Sequence, residues 1–336
     1  KLALGPFDIE YITLTHSIPE PNGLAIRTPL GLVWHTGDWK IDPEPLIGEL
    51  TDEASLRAMA DEGVLAMVCD STNVFVEGTS GSEADVREKL TKVIAGCAGR
   101  VAVTAFASNV ARVETALFAA RATGRTPCLV GRSMLRIHAA AQSVGLLQGA
   151  PAVITEEEAV GLAPEKVLYL CTGSQGEPRA ALARIARGEH RHISLHSGDT
   201  VVFSSRVIPG NESAINSLYN AFIEKGVSLI TADDHPVHVS GHPARDELRQ
   251  MYQWARPRIA VPVHGEQRHI HEHVSLAREM QVPEAIAPKN GDLIRLAPGS
   301  VAVIDEVPAG RLYVDGSVIV ETDDEAIRDR KRLGAE

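Results

Sequence analysis

Val167-Leu168-Tyr169-Leu170-Cys171-Thr172-Gly173-Ser174-Gln175-Gly176-Glu177-Pro178 is the stretch from which the fold can be read. Its first five residues have no polar alternate, so they make a strand buried on both faces; a half-exposed strand would be polar at every second position. The seven that follow are small, polar and glycine-bearing, as where a strand gives out onto a loop. The same pattern recurs in both directions. Residues 64–69 run apolar into Asp70-Ser71-Thr72-Asn73, and 101–104 lead to a helix beginning near Ser108-Asn109. Residues 127–130 lead to a helix near Ser133, and 200–203 run into Ser204-Ser205-Arg206 with a helix from Asn211-Glu212. Residues 227–231 precede Asp233-Asp234-His235, and 259–263 deliver His264. Buried strands alternating with helices predict an α/β fold on a parallel sheet covered on both faces, with ligands at the carboxyl ends of the strands. Nearer the N-terminus, residues 23–28 and 31–35 flank Pro29-Leu30 as a hairpin, and a helix is predicted around 54–62.

Length and composition bound the rest. The 336 residues suffice for two domains, or for one inserted in another, and 44% hydrophobic with 23% charged residues predicts a packed core. No apolar run is long enough to span a membrane. Four scattered cysteines (Cys69, Cys97, Cys128, Cys171), three of them in apolar runs, predict buried reduced thiols and a cytoplasmic location. The formal charge of −11 argues against wrapping of nucleic acid by the whole surface, though not against a local basic groove. The chain opens on Lys1-Leu2-Ala3-Leu4, and residues 327–333 read as a helix without a C-cap, so an internal fragment of a longer protein is expected.

Several strand ends carry side chains suited to chemistry. His16, in Thr15-His16-Ser17-Ile18-Pro19, is a candidate imidazole ligand, although a backbone-bonded histidine is the better reading of it alone. Asp38, in His35-Thr36-Gly37-Asp38, follows a glycine that lets the chain turn, and its two oxygens suit a bridging ligand; an Asx turn accounts for it about equally. His264, in Pro262-Val263-His264-Gly265-Glu266, ends a strand too apolar for a surface histidine, with Glu266 behind it. His238-Val239-Ser240-Gly241-His242 precedes a helix and offers an anion site, with His242 able to ligate or to protonate a phosphate oxygen. Ser108 and Asn109 read equally well as helix caps, while Arg206 suits a phosphate. His269-Ile270-His271-Glu272-His273 reads as a solvated helix, with only His269 and His273 sharing a face. No H-x-H-x-D-H cluster, phosphate-loop or dinucleotide motif occurs.

Taken together, these segments resemble the ribonuclease J family, in the β-CASP branch of the metallo-β-lactamase superfamily. The resemblance runs in order through residues 15–19, 35–40, 69–73, 106–109, 172–178, 204–212, 238–242 and 262–266. It implies an incomplete metallo-β-lactamase αββα sandwich over 1–80 and 246–315, interrupted by a β-CASP domain at 81–245 built on a mainly parallel sheet. Residues 316–336 would begin a linker to a further domain. It further implies two Zn2+ ions, with His16 on the first, Asp38 bridging both and His264 on the second. Asp70 would act in the second shell or in proton transfer, and Asp38, Asp70 and His242 would be the catalytic set. Substrate would be held by Phe106, Ala107, Ser108 and Asn109 and by His238, Val239, Ser240, Gly241 and His242. The implied activity is 5′-to-3′ exonucleolytic and endonucleolytic cleavage of single-stranded RNA, preferably 5′-monophosphorylated, in RNA maturation and decay. A homo-oligomer and an RNA-degradation complex are the implied partners. With the family's H-x-H-x-D-H expected upstream of Lys1, the chain alone is expected to bind metal poorly and turn over little. Two alternatives stand beside this reading: a β-CASP nuclease acting on DNA or mRNA 3′ ends, and a non-catalytic RNA-binding paralogue.

Overall fold

A computed structural model describes residues 1–333, so the expected linker at 316–336 is followed as far as Leu333 and its last three residues lie outside the described part. The chain first lays down β1 (Leu2–Leu4), β2 (Phe7–Thr13), β3 (Asn22–Thr28) and β4 (Gly31–His35), an antiparallel meander with two-residue turns at Gly5-Pro6 and Pro29-Leu30. Helix α1 (Glu53–Glu62) then returns the chain to β5 (Val64–Asp70), parallel to β4. Asp52 starts α1 by accepting the Ser55 amide at 2.9 Å.

The path then leaves this sheet for almost two hundred residues. It forms α2 (Glu83–Ala95), β6 (Val101–Thr104), α3 (Val110–Ala122), β7 (Thr126–Val130), α4 (Arg132–Ser143) and α5 (Glu156–Val160). It continues through β8 (Val167–Cys171), α6 (Ala181–Arg187), β9 (Thr200–Phe203), α7 (Glu212–Glu224) and β10 (Ser228–Ile230). The five strands make a wholly parallel sheet in the order β10-β9-β6-β8-β7. Every residue of β6, β8 and β9 is buried, as their near-continuous apolar sequences require. One face packs α6 and α7 through Leu182, Ile185, Leu218 and Phe222; the other packs α2, α3 and α4 through Leu90, Val113, Leu117 and Met134.

After α8 (Arg245–Ala255) the chain re-enters the first sheet as β11 (Ile259–Val263), parallel to β5, and adds α9 (Gln267–Glu279) and β12 (Glu284–Ala285). That sheet has the order β1-β2-β3-β4-β5-β11-β12. Trp34, Trp39, Met67, Leu248, Met251 and Trp254 fill the core between it and helices α1 and α8. Hairpins β13 (Asp292–Arg295) with β14 (Ala302–Glu306), and β15 (Leu312–Asp315) with β16 (Val318–Glu321), precede α10 (Glu325–Leu333). The fold is thus α/β with parallel pairing at the centre of both large sheets. Cys69, Cys128 and Cys171 are buried free thiols, and Cys97 is half-buried and also free. Among the described residues no helix is long and apolar enough to cross a membrane.

One helix overturns a sequence expectation. His273 of α9 is fully buried, with Nδ1 2.8 Å from Ser71 Oγ and Nε2 3.0 Å from Tyr252 Oη. The solvated reading holds for exposed His271 but fails for His273, which lies with Ile270, Val274 and Ala277 on the face turned to the core.

Candidate metal centre

Strands β4, β5 and β11 lie side by side and parallel, so their carboxyl ends open on one place. His35 is in register with Val68, and Asp70 with Val263. The residues just beyond these pairs are Asp38, Asp70 itself and His264. The loop before α8 brings His242 over them. Asp38, Asp70, His242 and His264 each offer a ligand atom within 4.8 Å of one another. Gly37, at φ +60°, makes the turn that presents Asp38. His264 itself adopts φ +58°, a left-handed conformation uncommon for a side-chain-bearing residue and found most often where function demands it.

The hydrogen bonds explain the arrangement. Asp70 is buried; its Oδ2 lies 2.7 Å from His242 Nδ1, while Oδ1 accepts the Thr72 amide (2.8 Å) and hydroxyl (2.7 Å) and lies 3.3 Å from His264 Nδ1. Burial acts to raise the pKa of this carboxyl, but the bonds from His242, His264 and Thr72 together hold it well below the usual carboxylate range. His264 Nδ1 lies 3.5 Å from Asp38 Oδ1, and its pKa is raised, chiefly by the bond to Asp70. A proton and a divalent cation compete for the same lone pair, so the raised value registers a negative potential that a cation would answer. Two carboxylates and two imidazoles form a donor set suited to zinc and similar divalent ions, and the residues present fit such an ion.

His16 stands one ring further out. Its ring centroid is 5.1 Å from that of His242, and it is not one of the four converging donors. Its Nδ1 lies 2.5 Å from the Gly241 carbonyl oxygen, which leaves Nε2 with the lone pair, the arrangement usual for ligating histidines. Burial lowers its pKa and keeps the ring neutral. A Cβ on Gly241 would sit 2.7 Å from His16 Cε1, so only glycine permits this approach.

The loop at 238–242 is fixed from below. Ser240 Oγ accepts the Asn73 side-chain amide at 2.8 Å and the His242 backbone N–H at 3.1 Å, and Asn73 also reaches the His242 carbonyl. Val239 is half-buried against Gly81. Burial and the nearby guanidinium of Arg112 push the His238 ring down to about 3. Arg112 has no solvent exposure and pairs with buried Glu83 at 3.0 Å; its Nη1 also donates to Ser204 O and Oγ and lies 3.4 Å from His238 Nδ1. Glu83 in turn accepts from Asn109 Nδ2 at 3.4 Å.

The other predicted substrate segment, after β6, does not join the donor cluster directly. Phe106 and Ser108 are exposed, Ala107 is half-buried, and Asn109 is buried as the N-cap of α3, its Oδ1 accepting the Arg112 amide at 2.9 Å. Asn109 therefore has the capping role that the sequence left open, and it is linked to the 238–242 loop only through Glu83 and Arg112. These two residues escaped sequence reasoning. A first-turn acid and a helical arginine read as ordinary surface charges, and nothing in their spacing announces a pair.

Comparison with known proteins agrees with this geometry. Residues 98–222 match the family model "Ribonuclease J, beta-CASP domain", and 231–288 match "Zn-dependent metallo-hydrolase RNA specificity domain". Ribonuclease J of Sinorhizobium meliloti is 51% identical over 333 residues, covering 99% of this chain and 59% of its own length. Ribonuclease J of Corynebacterium glutamicum is 43% identical, covering 98% of this chain and 46% of its own length. That of Thermus thermophilus is 37% identical, with 98% and 58% covered. The chain thus spans about half to three-fifths of the length of these relatives. A crystal structure of a protein of unknown function from Enterococcus faecalis V583 shares the fold, with a TM-score of 0.58 at 14% identity over 87% of this chain and 64% of that one. The strand-end donor cluster, the two family models and identities of this size over nearly every residue lead to one conclusion: the chain belongs to the ribonuclease J family.

Proposed function

We propose that the intact protein is a zinc-dependent ribonuclease that cleaves single-stranded RNA from its 5′ end and internally, in cytoplasmic RNA maturation and decay. The observation that carries the reading is the convergence of Asp38, Asp70, His242 and His264 within 4.8 Å at the ends of strands β4, β5 and β11. Zinc, when bound, supplies a Lewis acid for phosphate oxygens and acidifies water enough to make a nucleophile at neutral pH. Asp38, His264 and His16 would hold the metal in this reading. Further donors would come from the additional length that the relatives have.

The chain's own groups supply the remaining chemistry. Asp70 accepts from His242 Nδ1–H, which orients the ring so that Nε2 can hand a proton to the leaving oxygen. Backbone N–H groups around Gly241 and the Ser240 hydroxyl hold non-bridging phosphate oxygens at the entrance to α8. The exposed Phe106-Ala107-Ser108 turn contacts the RNA end, and a 5′-monophosphate is the preferred terminus. The same reading gives metallo-β-lactamase parts at 1–80 and 246–315 around a β-CASP insert at 81–245, a linker from 316, a homo-oligomer, and membership of an RNA-degradation complex. The departure from the first sheet after β5 and the return at β11 support the insertion.

The test uses full-length protein carrying Asp38→Asn or His264→Ala, with metal content and cleavage of matched RNA and DNA oligonucleotides measured together. Both variants are expected to lose metal and RNA cleavage while keeping their fold. Undiminished turnover by folded Asp38→Asn, or preference for DNA, would overturn the assignment.

A further inference from the structure

The carboxyl edge of the five-stranded sheet carries a second concentration of charge, away from the donor cluster. Beyond the ends of β7 and β8 lies a cavity of about 1060 Å³, bounded by the starts of α4 and α6 and by residues 190–192. Five arginines line it (Arg132, Arg136, Arg179, Arg184 and Arg191) against the carboxylates of Glu156 and Glu177 alone. Arg132, Arg136, Arg179 and Arg191 are exposed and form no ion pair among the described residues, whereas nearby Arg187 is paired with Glu189. On a chain of net charge −11, four unpaired guanidinia around one concavity make a local positive field suited to an anionic ligand.

The cavity is joined to the catalytic loop. Glu177 accepts the Gln175 backbone N–H at 3.0 Å, which ties up one of the two carboxylates. The Gln175 side chain donates to Arg206 O at 2.9 Å and accepts the Ile208 amide at 2.9 Å, stapling the loop after β8 to the loop after β9. Exposed Arg206 lies close enough to His238 to disfavour its protonation. Guanidinium groups therefore stand beyond the ends of β9 (Arg206), β8 (Arg179) and β7 (Arg132 and Arg136), with the turn after β6 between the first two. Neighbouring strands are about 4.8 Å apart, so β9 and β7, three spacings apart in the order β9-β6-β8-β7, lie roughly 14 Å apart. No Phe, Tyr or Trp lines the cavity, so it lacks a stacking platform for bases.

We infer that this cavity docks the phosphodiester backbone of RNA beyond the turn after β6, irrespective of base sequence. The inference rests on the ribonuclease reading above and adds to it a track for the distal strand. Arginine forks suit phosphate oxygens in bidentate pairs, and each phosphate neutralised on a single strand contributes about 0.7 to the salt slope of binding.

The experiment uses full-length protein with the double substitutions Arg132→Gln/Arg136→Gln and Arg179→Gln/Arg191→Gln. Binding of 5′-monophosphorylated RNA of about 25 nucleotides, in two scrambled sequences, is measured across salt concentrations, beside turnover of an RNA of about 5 nucleotides. Each double variant is expected to weaken the long RNA by about tenfold and to lower its salt slope by about 1.4, equally for both sequences. Short-RNA turnover stays within about twofold of the parent. An unchanged slope and affinity for the long RNA would overturn the inference, as would equal losses for short and long RNA. The short RNA reports on the catalytic site alone, so failure of the ribonuclease reading and failure of the track appear in different measurements.

Discussion

At Gly241 the space available to one carbon atom decides whether two histidines share a site. The backbone there needs no left-handed φ, so the constraint is contact alone: a Cβ would stand 2.7 Å from His16 Cε1 and 2.8 Å from its Nδ1. Gly241→Ala is expected to push the His16 ring away from the Gly241 carbonyl and to weaken metal binding in the full-length protein by about 10–100-fold, with little loss of thermal stability. Titration with zinc under a competing chelator checks it, and unchanged affinity would remove His16 from the site. His242 invites a separate measurement, because it lies among the four converging donors and also pairs with Asp70. His242→Gln is expected to lower kcat by about 10²–10⁴ while metal stays bound. Metal content falling in step with kcat would make the ring a ligand. Asp38 and His264 were legible in the sequence because each follows an apolar strand and has an adjacent glycine. Their convergence with Asp70 came only from the family resemblance, since it depends on the β5–β11 register, which no local pattern encodes.

At the scale of elements, α9 supports the metal-bearing loop from beneath. His273 receives no solvent and links Ser71, next to Asp70, to Tyr252 of α8. Burial pushes its pKa down to about 4, below the ordinary histidine value of 6.5. Between these values the unfolded chain binds more protons than the folded one, so stability is lost as pH falls through the window and levels off below it. For His273 alone the loss amounts to about 3 kcal/mol between pH 7 and pH 4. The stability difference between parent and His273→Gln should therefore shrink by about that amount over the same range in urea titrations. A difference that ignores pH would mean the ring is not held neutral. The strand patterns show where sequence reading works: residues 101–104, 167–171, 200–203 and 259–263 emerged with the same bounds in the structure. Burial on both faces leaves buried Thr104 and Thr200 as the polar residues among them. Hairpins β13–β14 and β15–β16 went unread because their exposed faces mix Leu293, Ile304, Val314 and Ile319 with charges, and no clean alternation survives. The buried His273 was missed because exposed His271 lies between it and His269.

For the whole molecule, two buried ion pairs hold the sheets together. Lys40, in the loop after β4, meets Asp42 at 2.9 Å and donates to Gly81 O, while Asp42 accepts the Glu83 amide at 3.0 Å; Glu83 then grips Arg112. Arg112→Met would leave Glu83 buried and unpaired, at a cost of about 3–5 kcal/mol, and adding Glu83→Gln should recover a good part of that loss. Additive losses in this cycle would show that the pair carries no coupling. The connectivity of the first sheet also has a temporal consequence for a chain emerging from the ribosome. β5 acquires its neighbour β11 only after residue 259 has been made, which at ordinary elongation rates is roughly ten to forty seconds after Asp70. Throughout that interval the nascent protein presents a raw strand margin with no partner, the kind of surface that invites pairing with a neighbouring chain. Any premature stop in the long excursion would leave that margin permanently open, so truncated products should be insoluble and unable to hold a cation.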